Sequence, residues 1–442
     1  MSLDLLENLL AQARKAGAER ADAILVGRTS LSVERRLGST ETLERSESRD
    51  LGLRVFCGAK SAIVSASSVD PARFAALAER AVAMARVVPD DLLADLCAEA
   101  APPPDAAFLD LLDPAEPPVE ALIARAEAAE AAALAVRGVT NSEGGSAGFG
   151  RTEMFLATSS GFAGQYARTY HSHSASVIAG EGTGMQRDYD YHGAVHLADL
   201  DDPAAIGHSA GERAVSRLKP MRPKTGRMPV VYDPRVSSSL VGHLSGSING
   251  AAVARGTSFL KDRLGQRLFA AGVHIHDDPL RVRGARSGTF DAEGVPTRRH
   301  TLIEDGVLTT WLLDSRSARQ LGLRTTGHAS RGTGGPPGPS ATNLYMAAGQ
   351  PTPAELMEDI EEGIYVTELI GMGINGLTGD YSRGAAGFMI RRGALAEPVA
   401  EITIAGNLID MFAALIPAND LRFRRGTDAP TIRVEGMTIA GG

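Results

Sequence analysis

The sequence predicts an α+β chain of two domains. Residues 1–222 read as an N-terminal α+β domain with a mixed sheet and helices. Residues 223–442 read as a mostly antiparallel β domain with one long helix at its start. Three observations carry this. Helical spacing and two-residue alternation succeed one another without a regular βαβ period or a repeat. The basic stretch 219–227, KPMRPKTGR, contains two prolines and a glycine and has the composition of a solvated linker. The glycine-rich run 363–411 holds two alternating strands about a polar turn, the local signature of a hairpin.

Taken in order, residues 1–17 form an amphipathic helix, followed by strands at 21–26, 31–36, 42–45 and 51–57. In the last of these Leu51, Leu53, Val55 and Cys57 alternate with polar or small residues, so one face is buried. A helix over 71–87 has Pro71 in its first turn and Phe74, Leu77, Ala78 and Ala81 at helical spacing. Residues 101–118, rich in proline and alanine, read as an irregular connection before an alanine-rich helix at 119–136. Four further strands are expected between 137 and 197, and a helix at 203–218 leads into the linker.

The second half begins with a strand at 229–232. Asp233 is then a helix N-cap and Pro234 the first helical residue. That helix is expected to run through Val241, Leu244, Ile248 and Ala252 to Gly256. Strands follow at 274–276, 299–303 and 307–313, and the loop 327–341, with SRGTGGPPGPS, reads as mobile or moulded by a partner. The hairpin pairs 387–390 with 399–404 across a turn at 391–397. A helix capped by Asn407 then places Leu408, Ile409 and Met411 on its apolar side.

Composition narrows the function classes. The chain has 442 residues, 43% hydrophobic and 22% charged, and a net charge of −8 with both signs interspersed. A dedicated nucleic-acid surface would need a concentrated basic face, so no nucleic-acid partner is expected. The two cysteines, Cys57 and Cys97, form neither a disulfide framework nor a zinc-type spacing and read as buried, inert thiols. The N-terminus lacks the features of a signal peptide, and no run approaches a membrane span. A cytoplasmic chain with no membrane partner is the expectation.

The stretch GDYSRGAAGF, followed in the same ungapped run by PVAEITIAGN, resembles the C-terminal domain of the TldD/PmbA metalloprotease family, and its PmbA (TldE) branch in particular. RDLGLRVF at 49–56 extends the resemblance in layout to the first half. The catalytic branch carries His-Glu-x-x-x-His on the helix that starts here near Asp233. Its two imidazoles and a cysteine near the C-terminus bind a divalent metal, and the Glu polarises water. Aligned on Leu-Val-Gly-His, the first ligand position is Ser238, the base position is Ser239, and only His243 remains. A serine hydroxyl is a weak neutral donor and no substitute for a carboxylate base. The segment 418–429, ANDLRFRRGTDA, holds neither cysteine nor histidine.

The resemblance therefore implies a non-catalytic subunit paired with a TldD-type metalloprotease paralogue. It implies zinc in that partner and none in this chain, and a homodimer when the chain is isolated. Family members mature microcin-type peptides, degrade an antitoxin and were once linked to modulation of DNA gyrase, so unfolded peptides are the implied substrates. The candidates for lining the peptide cleft are His243 on the helix that starts near Asp233, Thr342 and Asn343 at the end of the loop 327–343, and Gly371, Gly373 and Asn375 in a glycine-rich strand at 371–379. An extended peptide could add there to a sheet edge.

Other constellations compete. His274 and His276 share a strand face and could ligate a metal, or lie on an exposed strand edge before an acidic turn. His171 and His173 repeat that spacing without a third ligand. Ser239 and His243, four apart on a helix, could meet as nucleophile and base, though no oxyanion loop accompanies them. Gly332, Gly334 and Gly335 lack the Lys-Ser/Thr of a phosphate loop, and GMGINGLTG lacks a dinucleotide-binding context. The alternatives to a partner subunit are thus a hydrolase using one of these sites and a stand-alone peptide-binding homodimer.

Overall fold

The computed structural model describes residues 2–441. The first half runs α1 (Ser2–Ala16), β1 (Arg20–Arg36), β2 (Ser39–Cys57), β3 (Lys60–Ala66), α2 (Phe74–Val87), α3 (Val119–Leu134), β4 (Val139–Thr158), β5 (Ala163–Ala179), β6 (Gln186–Ala194) and α4 (Pro203–Ser216). The strands form one sheet in the order β3-β2-β1-β4-β5-β6, and every pairing is antiparallel rather than mixed.

Two expected pairs of short strands are single long ones, because the β1–β2 ladder continues from Arg20/Phe56 to Arg36/Ser39. The polar stretch of β2 before Leu51 is almost wholly exposed, so it lacks the alternation that a buried face imposes. Three strands, not four, occupy 137–197, for the same reason of length.

Alternation assigns the faces of this sheet. Ala21, Ala23 and Leu25 pack with Leu53 and Val55 beneath α1 and α2. Leu31 and Val33 pack with Leu122 and Ala126 of α3. Helices α3 and α4 lie close together because Gly207 has no side chain; a Cβ there would overlap the Ala129 carbonyl. On the opposite face Ile24, Val26, Met154 and Leu156 meet Phe290 of the second half.

The second half comprises β7 (Gly226–Tyr232), α5 (Pro234–Ser247), α6 (Gly250–Ala254), β8 (Ile275–Asp277), β9 (His300–Glu304), β10 (Val307–Leu308), α7 (Ser315–Leu321), β11 (Ala329–Ser330), β12 (Gly338–Pro339), β13 (Leu344–Met346), α8 (Pro353–Met357), β14 (Glu362–Ile370), β15 (Asp380–Arg391), β16 (Ala394–Asn407), α9 (Leu408–Ala413), β17 (Leu415–Pro417), β18 (Thr427–Asp428) and β19 (Ile432–Ala440). One sheet has the order β16-β15-β14-β7-β19-β17, and β16 also pairs with β19, which closes most of it on itself. A second has the order β10-β9-β8-β13-β18. Only β14–β7 and β13–β18 pair in parallel, so the domain is mostly antiparallel and the molecule α+β.

Several local expectations change. Asp233 does cap α5, accepting from the Arg235 N–H, but the helix stops at Ser247. Asn249 then accepts from the N–H groups of Ala251 and Ala252 and starts α6, a local competition that periodicity does not register. The strand expected over 307–313 ends at Leu308. The hairpin strands run longer, from 380 and to 407, about a tight turn at Arg392 and Gly393. Residues 371–379 are a loop between β14 and β15, not a strand. The loop 327–341 is moulded by this chain itself: it carries the β11–β12 hairpin, and Arg331 reaches Asp22 in β1.

Candidate functional site

Helix α5 packs Val236, Leu240, Val241 and Leu244 into the large core shared by strands of both C-terminal sheets. Its start is fixed by Asp233, whose N–H donates to Val366 and whose second carboxylate oxygen accepts from Tyr365. Ser238, Ser239 and His243 lie on its half-buried side, and Gly242 is exposed. The Ser239 hydroxyl donates to the Val236 carbonyl at 2.6 Å, one turn back on its own helix. It makes no hydrogen bond to His243, so the geometry does not assemble a nucleophile and base.

The His243 imidazole sits edge-on to Tyr381, centroids 6.0 Å apart. Its Nε2 is buried without a partner among the described residues. Burial, and then the nearby Arg383 charge, push its pKa down to about 4, so it is neutral at physiological pH.

The segment 418–429 does pack along α5. Ser237 donates to the Ala429 carbonyl, and Arg425 donates to the Arg235 carbonyl at 2.9 Å. Its acids are engaged with the protein: Asp420 accepts from the Thr431 N–H and hydroxyl, and Asp428 from the N–H groups of Arg424 and Arg425. Two serines and one neutral imidazole, facing a segment without thiol or imidazole, do not fit a divalent ion. Among the described residues no group of three or more His, Cys, Asp or Glu side chains could hold one.

The cleft candidates do not converge on one surface. Gly371, Gly373 and Asn375 are exposed in the β14–β15 loop. Gly373 serves a close backbone approach, since a Cβ would overlap the Ser382 carbonyl. Asn375 organises its own loop by accepting from the Leu377 N–H. Asn343 is 1% exposed and cannot line a cleft; its amide donates to the Asp278 carbonyl and the Ser287 hydroxyl. Thr342 lies elsewhere, donating from its hydroxyl to Asp277 and lining a cavity of about 460 Å³ where β11 meets the N-terminal sheet.

Neither histidine pair gathers a third ligand among the described residues. His274 and His276 stack nearly parallel, with centroids 6.2 Å apart, and His276 Nδ1 lies 3.1 Å from the Thr301 hydroxyl. His276 lies in β8, an interior strand and not an exposed edge, with His274 just before it, and burial pushes the His276 pKa down to about 4. His171 and His173 are 0% and 1% exposed, with His171 Nε2 3.2 Å from Asp113. Cys97 is buried, and burial raises its pKa, whereas Cys57 is only half-buried.

Family models of the PmbA/TldA metallopeptidase match the chain three times: domain 1 over residues 21–85, the central domain over 112–218 and the C-terminal domain over 225–441. The metalloprotease PmbA of Escherichia coli O157:H7 is 37% identical over 98% of this chain and 94% of its own length.

The chain belongs to the PmbA/TldD family.

A Bacteroides thetaiotaomicron protein described as a modulator of DNA gyrase shares the fold, with a TM-score of 0.91 at 26% identity over 99% of this chain and 98% of that one. A metalloprotease TldD homolog of Buchnera aphidicola is 24% identical over 59% of this chain and 58% of its own. Both branches of the PmbA/TldD family are thus among its relatives. What sequence reasoning missed is the cavity beside Thr342, built by Arg28, Arg168 and Arg331 from distant parts of the chain. No local motif marks those arginines. Among the described residues, no helix is long and apolar enough to cross a membrane.

Proposed function

We propose that the chain is the non-catalytic subunit of a two-chain metalloprotease acting on unfolded peptides, with the zinc carried by a TldD-type paralogue. One observation carries the reading. The family models match residues 21–85, 112–218 and 225–441, yet the ligand and base positions on α5 are serines, one of them turned onto its own helix. The segment opposite offers carboxylates already committed to backbone N–H groups. A helix so placed still packs and positions its neighbours, but it supplies neither a Lewis acid nor a base.

In this reading the subunit contributes part of the wall of a peptide cleft, with His243 and the exposed 371–375 loop on that wall. It forms a homodimer when the paralogue is absent, and the complex works in the cytoplasm. The test is co-expression with a TldD-type paralogue followed by size-exclusion chromatography and mass measurement. A stoichiometric complex of both chains supports the reading. Two homodimers that stay separate when mixed or co-expressed refute it.

A further inference from the structure

The cavity beside Thr342 lies at the junction of the two halves, apart from α5. At about 460 Å³ it is in the size range of small-ligand clefts. Its floor is apolar: Ile24, Val26 and Met154 of the N-terminal sheet, with Phe290 packed edge-on to Tyr166 at 5.6 Å between centroids. Four arginines line it, Arg28, Arg168, Arg286 and Arg331, against a single acid, Asp291.

These arginines are not equivalent. Arg331 has a side chain 2% exposed and donates from Nη1 to Asp22, but its Nε and Nη2 have no partner among the described residues. Asp22 is already shared with Arg54, which donates to it through two nitrogens at 2.8 and 2.5 Å. Arg54 also feels the buried Glu293 carboxylate, whereas Arg331 has Asp22 alone and keeps two open donors, an arrangement that burial penalises unless an acceptor completes it. Arg168 is spent on structure, donating to the carbonyls of Ala285 and Ser287 and so holding that loop against β5. Arg28 and Arg286 are exposed at the mouth, and their guanidiniums have no ion pair among the described residues.

Asp291 does not cancel this charge. Its oxygens accept from the N–H groups of Glu293, Val295 and Ala329. Burial, reinforced by Glu293, raises its pKa to about 7, so it is only partly ionised at neutral pH. The cavity therefore offers an apolar floor, a cationic mouth and a buried guanidinium with donors to spare.

We propose that this cavity binds a carboxylate carried on an apolar stem, namely the free C-terminal end of a peptide whose last residue is apolar. The arginines at the mouth take the carboxylate, with guanidinium geometry suited to two parallel hydrogen bonds. The final side chain rests on Ile24, Val26 and Phe290. The proposal rests on the reading of the chain as a peptide-handling subunit and names which end of the peptide it grips.

Titration calorimetry on the full-length chain tests it with four probes: N-acetyl-Ala-Ala-Leu as the free acid, the same peptide as the amide, hexanoate and inorganic phosphate. The free acid is expected to bind, and the amide at least about tenfold more weakly, because a charge-assisted pair is lost. The double variant R28Q/R286Q, which removes the two guanidiniums without an ion pair among the described residues while Gln keeps most of the stem that Arg286 lays over Gly426, is expected to weaken the acid at least about fivefold and leave the amide unchanged. R331Q probes the deep donors, and the mouth variant decides the matter if R331Q does not fold. Equal binding of acid and amide, no binding of either, or wild-type affinity in R28Q/R286Q overturns the proposal. Hexanoate or phosphate binding as tightly as the peptide acid overturns the peptide assignment. Failure here with paralogue-dependent hydrolysis intact removes only this site; loss of that dependence removes the functional reading itself.

Discussion

Arg331 Nη1 donates to Asp22 Oδ1 at 2.6 Å, joining residues 309 positions apart and tying the β11–β12 hairpin to the first strand of the molecule. Both side chains are buried, as is that of Arg54, which completes the cluster. The loop that composition marks as loose is thereby held by the chain's own N-terminal sheet.

Asp22→Asn is expected to destabilise the fold by about 3–5 kcal/mol, because two buried guanidiniums lose their counter-charge. The fall in the urea midpoint at unchanged slope measures it. Burial alone would raise the Asp22 pKa, but Arg331 and Arg54 outweigh it and hold the carboxyl below its ordinary 3.8. The stabilisation is thus complete above that ordinary value and is lost only as the pH falls through the lower folded one. A D22N protein with wild-type stability at pH 7 would contradict the account.

Four histidines set the acid limit sooner. Burial pushes the pKa values of His173, His243, His276 and His300 from 6.5 down to about 4. Each is neutral in the fold and takes up a proton on unfolding, so stability is full above 6.5 and declines as pH falls from there towards 4. Thermal midpoints across that range should fall steadily. His243→Phe should make the decline shallower by about one proton's worth of slope. A flat profile between pH 6.5 and 4 would show these imidazoles to be solvated.

Gly207→Ala places a methyl group on the Ala129 carbonyl and should force α3 and α4 apart, at a loss of about 1–3 kcal/mol. Gly226→Ala, where a Cβ meets nothing, is the control and should leave the thermal midpoint within a degree or two of wild type. Equal midpoints for both variants would contradict the close helix approach.

How much of this was legible before the structure follows from the range of the interactions. Asp233-Pro234 marks the start of α5 because capping is local, and the 380–407 hairpin shows itself through alternation. The serines at 238 and 239 were legible too, since an absent ligand is visible by residue type alone. The solvent-facing length of β2 has no alternation to read. The burial of Asn343 and the Arg331 anchor depend on partners at Asp278, Ser287 and Asp22, which no spacing rule connects. The cleft candidates were scattered for the same reason: glycine content signals close backbone approach, and at Gly373 the approaching backbone is the chain's own.

Restoring the side chains on α5 should not restore a metal site. S238H/S239E creates a second imidazole and a carboxylate, but the facing 418–429 segment still lacks a thiolate. Purified S238H/S239E is expected to carry far less than one zinc per chain and to show no chelator-sensitive hydrolysis. Stoichiometric zinc in that variant would reveal a third ligand near α5 that the donor set argues against.

The most direct measurement is metal content by elemental analysis of the purified chain, with peptide hydrolysis assayed alone and with a TldD-type paralogue. The account predicts substoichiometric metal, no hydrolysis by the chain alone, and hydrolysis when the paralogue is added. One tightly bound zinc per chain, with chelator-sensitive hydrolysis in the absence of any paralogue, would contradict it.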